Sequence, residues 1–369
     1  MFLTLSPPLA LIWAVMHVYM RGVSLVEVGC FVVGLAATNL SITAGYHRLF
    51  AHRAYECRRF VKVFYLLAGA GALQHSVLSW ASDHRRHHQN IDHEGDPYNI
   101  RRVFLWAHIG WLMVNDHKAP RFENVPDLTA DPWICWQHRF YMPLAIAVSF
   151  GVPLAFGFAI GHPWGCLLWG GLIRAVVGHH CTFLVNSLAH TLGKRPYTRA
   201  VSARDSVVTA LLTFGEGYHN FHHRFAADYR NGVRRHQWDP TKWLIGGMAA
   251  VGWAWNLRRA PRERIVAAEL QCDAQRLLER LRDRSDHTVA QMRERMAEVS
   301  AAVQRSAVRL GNLERECARL RQSWSDESRR QIERVRAELR EARREFRAAR
   351  SRWQAALAEW SMQPLPQPA

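Results

Sequence analysis

Residues 60–88, FVKVFYLLAGAGALQHSVLSWASDHRRHH, decide how this chain folds. The first part is nearly apolar enough to cross a membrane, yet it carries Lys62, Gln74, His75 and Ser76 and runs into a histidine triplet. Spanning a bilayer takes about 20 mostly apolar residues. Four other segments qualify: 3–20, 26–46, 141–161 and 165–188. Histidines cluster after the second of these (His47, His52), after the doubtful run (His84, His87, His88) and after the fourth (His219, His222, His223). If 60–80 crossed the membrane, the first two clusters would lie on opposite faces. An interfacial helix over 60–80 puts all three on one face. The predicted fold is therefore all-α, with four transmembrane helices capped by a cytosolic helical domain that holds the histidines.

The connections on the far side, around 21–27 and 161–165, contain one arginine between them, whereas the histidine-bearing segments are rich in Arg and Lys. That asymmetry predicts a cytoplasmic location for the histidines and both termini. The N-terminal MFLTLSPPLALIWAVMHVYM lacks a basic n-region and a small-residue cleavage site, so it reads as a retained first span.

The formal net charge of +17 over 369 residues would suit nucleic acid. Here the basic residues flank apolar spans or sit in a mixed-charge tail, so no nucleic-acid partner is expected; the bilayer and its anionic headgroups are. The seven cysteines form no CxxC pair, which argues against a disulfide framework, a rubredoxin-like iron site or a zinc ribbon.

Composition divides the chain at about residue 256. Residues 1–256 hold all but one of the twenty histidines, and 257–360 are Arg/Glu-rich without lysine. Within that tail Ile332, Val335, Leu339, Ala342, Phe346, Ala349, Trp353, Ala356 and Trp360 alternate by three and four, the seam of a coiled coil. Leu310, Leu313, Cys317, Leu320 and Trp324 form a second, offset run. Helices that fold back on one another, or that pair between chains in a homo-oligomer, would satisfy this. Residues 361–369 read as disordered.

The histidine motifs are GYHRLFAH (45–52), DHRRHHQNIDHEGDPYN (83–99) and GEGYHNFHH (215–223). Neutral imidazole suits iron, copper or zinc, whereas calcium and magnesium prefer oxygen. In HxxHH all three side chains share one helical face and can converge on metal. His47, His52, His84, His87, His88, His219, His222 and His223 are too many ligands for one ion, so two ions are implied. His190 in NSLAH (186–190) is a ninth candidate, and Asn186 one turn earlier is placed to hold a metal-bound water. Asp83, Asp92, Asp96, Glu216 and Asp228 flank these residues and are candidates to accept imidazole N–H bonds. The site lacks an obvious bridging carboxylate, unlike Glu-rich di-iron bundles. A metal transporter would carry its ligands at mid-membrane depth; here they follow the span ends.

Together with ICWQHRFYMPLA, FLVNSLAHTLGKRPYT, SARDSVVTALLTFGEGYHNFHH, DYRNG and QWDPTKWLI, these motifs resemble the membrane fatty-acid desaturases, specifically the bacterial members of the stearoyl-CoA (delta-9) branch, over residues 1–256. The resemblance implies a di-iron centre held by the nine histidines, with Asn186 acting through water. It implies an O2-dependent oxidoreductase that converts a saturated long-chain acyl thioester, acyl-CoA, to a cis-monounsaturated chain. An unactivated C–H bond offers no acid, so proton transfer alone cannot open it, and regioselectivity must come from a narrow apolar tunnel. Gln74, Trp80, Trp111 and Thr182 are candidates for its wall. Two features depart from the animal acyl-CoA enzymes. Ser82 stands where they carry a basic residue, and Asn115-Asp116 precede Lys118 where they carry a basic pair. Acyl carrier protein or an intact lipid therefore remain alternative carriers, and a related di-iron hydroxylase an alternative activity. The tail shows no haem signature, so electrons are expected from a separate ferredoxin-like or cytochrome donor. The Arg- and Ala-rich composition points to a bacterial inner membrane.

Overall fold

The computed structural model describes residues 2–114, 122–280, 287–321 and 326–361. Asn115, Asp116 and Lys118 lie outside the described residues, as does the expected disorder at 361–369 except for Ser361, which ends a helix. The chain clusters into two compact units, residues 1–194 with 201–259, and residues 195–200 with 260–369.

In the first unit four helices are long and apolar enough to cross a membrane: α1 (Phe2–Arg21), α2 (Leu25–Ala51), α5 (Tyr141–Ile160) and α6 (Pro163–His190). Between them in sequence lie α3 (Arg59–Ala70) and α4 (Val77–Asn90), and after them comes the short α7 (His219–Arg224). A two-stranded antiparallel pairing, Glu56 with Trp255 and Cys57 with Ala254, ties the end of this unit back to the loop after α2. Gly22, at φ 71°, turns the chain out of α1. Ser24 and Glu27 then form a reciprocal capping box that starts α2. From Ser41 to Ala51 α2 widens into a π-helix, and the His52 amide bonds back five residues to the His47 carbonyl. Such widenings are frequent at functional sites. This one rotates His47 and Arg48 inward, where both are buried.

The run 60–80 is not the single interfacial helix expected. It breaks after α3, turns through Gly71–Ser76 and leaves as α4. Small residues explain how α3 packs so closely. A Cβ on Gly45 would meet Tyr65 at 2.7 Å, and one on Gly69 would meet the Tyr46 ring at 2.3 Å. The turn after α3 reaches Ser149 and Arg174, which lie inside α5 and α6. The turn is therefore held against the interior of two of the apolar helices.

The second unit holds α8 (Arg262–Arg280), α9 (His287–Leu320) and α10 (Asp326–Ser361). Val335, Leu339, Ala342, Phe346, Ala349, Trp353 and Ala356 are buried with Met296, Val303, Leu310, Leu313 and Cys317 of α9 and Ala267, Leu270 and Ala274 of α8. The predicted seam is thus covered by helices of the same chain. The side chain of Trp360 and all of Trp324 lie outside the described residues.

Candidate metal centre

Four segments of the first unit carry histidines to one place. The widened end of α2 supplies His47, and His52 follows as the chain leaves it. One face of α4 supplies His84, His87 and His88. The last turn of α6 ends at His190, and α7 supplies His219, His222 and His223. The nine gather into two groups, within each of which the ligand nitrogens lie within 4.8 Å of one another. One is His47, His52, His84, His88 and His222; the other is His87, His190, His219 and His223.

The spacing of the HxxHH triplets left their division open, and the structure splits each of them. In α4 the i and i+4 histidines, His84 and His88, join the first group and His87 the second. In α7 the assignment is mirrored, with His219 and His223 in the second group and His222 in the first. Each triplet therefore bridges the two groups.

The outward nitrogens have specific partners. His47 Nδ1 lies 2.9 Å from Glu216, and His87 Nδ1 lies 2.8 Å from Asp96. His190 Nδ1 lies 2.7 Å from the Ser202 hydroxyl, which itself donates to Asp92. Asp92 thus acts on an imidazole through Ser202 rather than directly. Asp83 receives Arg86 at 3.3 Å and lines the cavity described below, and Asp228 receives Arg230 at 2.8 Å.

The inward nitrogens face one another. Nε2–Nε2 distances are 3.1 Å for His47–His222, 2.7 Å for His52–His84 and 3.0 Å for His88–His222. In the other group they are 3.3 Å for His87–His223 and 3.0 Å for His219–His223. A neutral imidazole has one N–H, and where Nδ1 donates it to a carboxylate, Nε2 presents only a lone pair. So placed, His47 and His87 turn lone pairs toward the middle of their groups. His190 Nε2 is buried with no protein partner at all. Burial first, and the neighbouring imidazoles second, hold His84, His88, His219, His222 and His223 well below the ordinary imidazole range, and the same holds for His52. They stay neutral and able to coordinate. A cation at the middle of each group satisfies what the protein leaves open, so this all-nitrogen donor set fits a metal centre of the imidazole-preferring kind.

Charged groups fix the shell. Burial alone would raise the Glu216 carboxyl, but His47 and Arg48 outweigh it and hold it down to about 2. Arg48, 1% exposed, spans Glu216 at 2.9 Å, Asp239 at 3.0 Å and the Tyr229 carbonyl at 2.8 Å. It locks α2 to the segment carrying the third histidine motif. Sequence reasoning missed Arg48, Asp239 and Ser202. The first had a signal, a charge inside a histidine motif at the end of an apolar helix; Ser202 had none.

Beside the histidines lies a cavity of about 350 Å³, within the usual range for ligand sites. His47, His84, His87 and His219 form one side. Gln74, Trp80, Trp111, Thr182 and Asn186, all named from sequence, line it with Ile42, Leu73, Phe183, Val185 and Phe214. Gln74 Nε2 donates to Thr182 Oγ1 at 2.8 Å, and the Trp80 ring stacks on His84 at 4.9 Å. Asn39, another wall residue, was not foreseen; it is a buried amide inside a span, which is itself a signal of function. Ser82 is fully buried and donates to Asn124 at 2.8 Å.

Comparison with known proteins agrees with this geometry. The fatty acid desaturase family profile matches residues 23–257. A probable acyl-CoA desaturase of Schizosaccharomyces pombe is 41% identical over 254 residues, covering 68% of this chain and 53% of the relative. Acyl-CoA desaturase 1 of Saccharomyces cerevisiae is 38% identical over 246 residues, covering 66% and 48%. Human stearoyl-CoA desaturase 5 is 36% identical over 271 residues, covering 71% and 76%. The chain spans about half the length of the two yeast relatives it matches. With four apolar helices, two histidine groups and these relatives, the chain is a multi-pass membrane protein belonging to the fatty acid desaturase family, on its stearoyl-CoA desaturase branch.

Proposed function

We propose that this protein introduces a cis double bond into a saturated long-chain fatty acyl thioester, with acyl-CoA as the carrier and delta-9 as the position. The observation that carries the reading is that two histidine groups form one side of a largely apolar cavity within the membrane unit. A hydrolase or transferase has no use for nine inward imidazoles, and a transporter has no use for a largely apolar cavity beside them.

His47, His52, His84, His88 and His222 would hold one iron, and His87, His190, His219 and His223 the other, with Asn186 contributing through water. Bound there, the two irons supply the oxidising power, with O2 and two electrons, to take one hydrogen from each of two adjacent methylenes. The balance is saturated acyl chain plus O2, two electrons and two protons, giving the alkene and two waters.

The chain's own residues do the rest. Glu216, Asp96 and Ser202 orient the imidazoles they touch. Trp80 and Phe183 exclude water, and the Gln74–Thr182 contact narrows the path of the acyl chain. Electrons come from a separate ferredoxin-like or cytochrome donor, and the site and both termini face the cytoplasm of a bacterial inner membrane.

A second carrier is favoured by one observation. Ser82, where the animal enzymes place a base, is buried against Asn124 and offers nothing to a CoA headgroup. Acyl carrier protein or a membrane lipid is that alternative.

The test is expression in a host that makes only saturated acids, followed by gas chromatography of total fatty acids. A new cis-monounsaturated acid that vanishes in His87→Ala is expected; no new acid, with iron, O2 and a donor supplied, would overturn the reading. Assaying membranes with acyl-CoA, acyl carrier protein and phospholipid substrates separates the carriers, and a hydroxy acid in place of an alkene would mark a hydroxylase.

A further inference from the structure

The turn between α3 and α4 is strained and lies inside the membrane unit. Leu73 and His75 sit at φ 58° and 70°, in the left-handed region that side chains avoid. Such strain persists only where the surroundings over-determine the backbone. Here they do. The Leu73 carbonyl accepts from His179 at 3.2 Å, Gln74 donates to Thr182 at 2.8 Å, and the His75 amide donates to Tyr141 at 2.9 Å. Leu73, Gln74 and His75 also line the cavity, so the position of this turn shapes the path of whatever lies there.

The entry to the turn is held by a cation. Arg174 is 2% exposed and lies within α6. Its guanidinium donates to the Gly71 carbonyl at 2.6 Å, the Ser149 carbonyl at 3.3 Å and the Gly170 carbonyl at 3.1 Å. Two of these acceptors are open for a reason. Gly71 caps the C-terminal, negative end of α3. Pro153 has no N–H for Ser149, one turn back in α5. The Ser149 hydroxyl completes the node by donating to the same Gly71 carbonyl at 2.6 Å. No carboxylate contacts Arg174 among the described residues, so carbonyl dipoles alone hold this charge. Ionisable residues inside spans are costly and tend to be functional.

We propose that Arg174 is a positioning residue for the acyl chain, pinning the Gly71–Ser76 turn and so fixing which carbons lie beside the histidine groups. The proposal rests on the desaturase reading above. Arg174 touches no histidine of either group. It acts through the turn, and its loss widens the bend at Gln74 so that the chain settles in more than one register.

The experiment compares wild type, Arg174→Leu, Arg174→Lys and Ser149→Ala as full chains, with double-bond positions read by mass spectrometry of derivatised fatty acids. Glu27→Gln serves as a control, because Glu27 is buried among the spans but outside the cavity, paired with His17 at 3.1 Å. Minor positional isomers should rise severalfold relative to the main product in Arg174→Leu, and less in Arg174→Lys, which keeps the charge but not the fork. Ser149→Ala should give the smallest rise in the same direction, and Glu27→Gln none at any level of activity. Hydrogen exchange of peptides covering 71–76 reads the turn without turnover, and should quicken severalfold in Arg174→Leu but not in Glu27→Gln. An unchanged isomer ratio with unchanged exchange overturns the proposal, as does an equal shift in Glu27→Gln, which would mark general loosening. If Arg174→Leu does not accumulate, Arg174→Lys and Ser149→Ala decide by the same two readouts. A wild type that makes no unsaturated acid sinks the desaturase reading itself; a wild type with one product and variants with that same product sinks only this inference.

Discussion

Val33 in α2 and Val308 in α9 are both helical valines, 68% and 56% exposed, yet their surroundings ask opposite things of them. The first unit turns Leu11, Val15, Val33 and Phe158 outward and buries Arg48, Arg174, Glu216, His219 and His222. The second buries Leu310, Phe346 and Trp353 and turns Arg309, Glu341 and Glu345 outward. Both are built mainly of helices. The solvent each was selected for decides which residues go inside. In lipid, apolar contact between helices brings little, so polar networks and close small-residue packing hold the spans. In water, the buried seam holds the tail.

The sharpest way to break that contrast is to place the same charge at both valines. Val33→Asp should raise the apparent insertion free energy of residues 25–51 by about 2.5–3.5 kcal/mol, the range for an aspartate at a span centre. Val308→Asp should change thermal stability by less than about 0.5 kcal/mol, as surface substitutions usually do. Insertion assays on the first and thermal melts of the second measure the two. Equal costs would mean that α2 does not face lipid.

A smaller effect separates buried from exposed carboxylates. Asp96 is 4% exposed and holds His87 at 2.8 Å, whereas Glu345 pairs with Arg309 at 2.9 Å in the open. Asp96→Asn keeps the shape and loses the charge, and should lower metal affinity or activity about 10–100-fold. Glu345→Gln should cost no more than about 1 kcal/mol and leave bound metal per chain unchanged. Metal content and melting read both.

What the sequence made legible follows the same divide. Metal coordination demands one residue type at fixed spacings, so His84, His87, His88, His219, His222 and His223 announce themselves. Asp96 could be named because it lies nine residues from His87, which it orients, and Glu216 because it stands beside His219, although the imidazole it holds is His47. Ser202 could not, since it meets Asp92 from 110 residues away. Nor could the split of each triplet, because a shared helical face does not say which of two histidine groups a side chain joins. The break inside 60–80 was missed for a related reason. What draws the Gly71 carbonyl inward is Arg174, 103 residues later, and a hydropathy window has no view of it.

The least of the effects concerns Asp205, whose Oδ1 accepts the Asn220 and Phe221 amides at 2.7 and 3.0 Å and so caps the first turn of α7. Burial lifts this carboxyl from 3.8 to about 7, against the pull of those two amides. A carboxyl raised in the folded state binds its proton more tightly there than in the unfolded chain. Its contribution to stability is therefore full below its unfolded value and falls as pH rises toward 7, after which it is level. The slope can be no steeper than about 1.4 kcal/mol per pH unit. Wild-type melting temperature in nanodiscs should thus decline between about pH 5 and pH 7, and Asp205→Asn, which keeps an acceptor and cannot ionise, should flatten that decline. The first unit buries a titratable cap to present a histidine motif, where the tail leaves its carboxylates in water. If Asp205→Asn keeps the wild-type slope, another buried group of the first unit carries it.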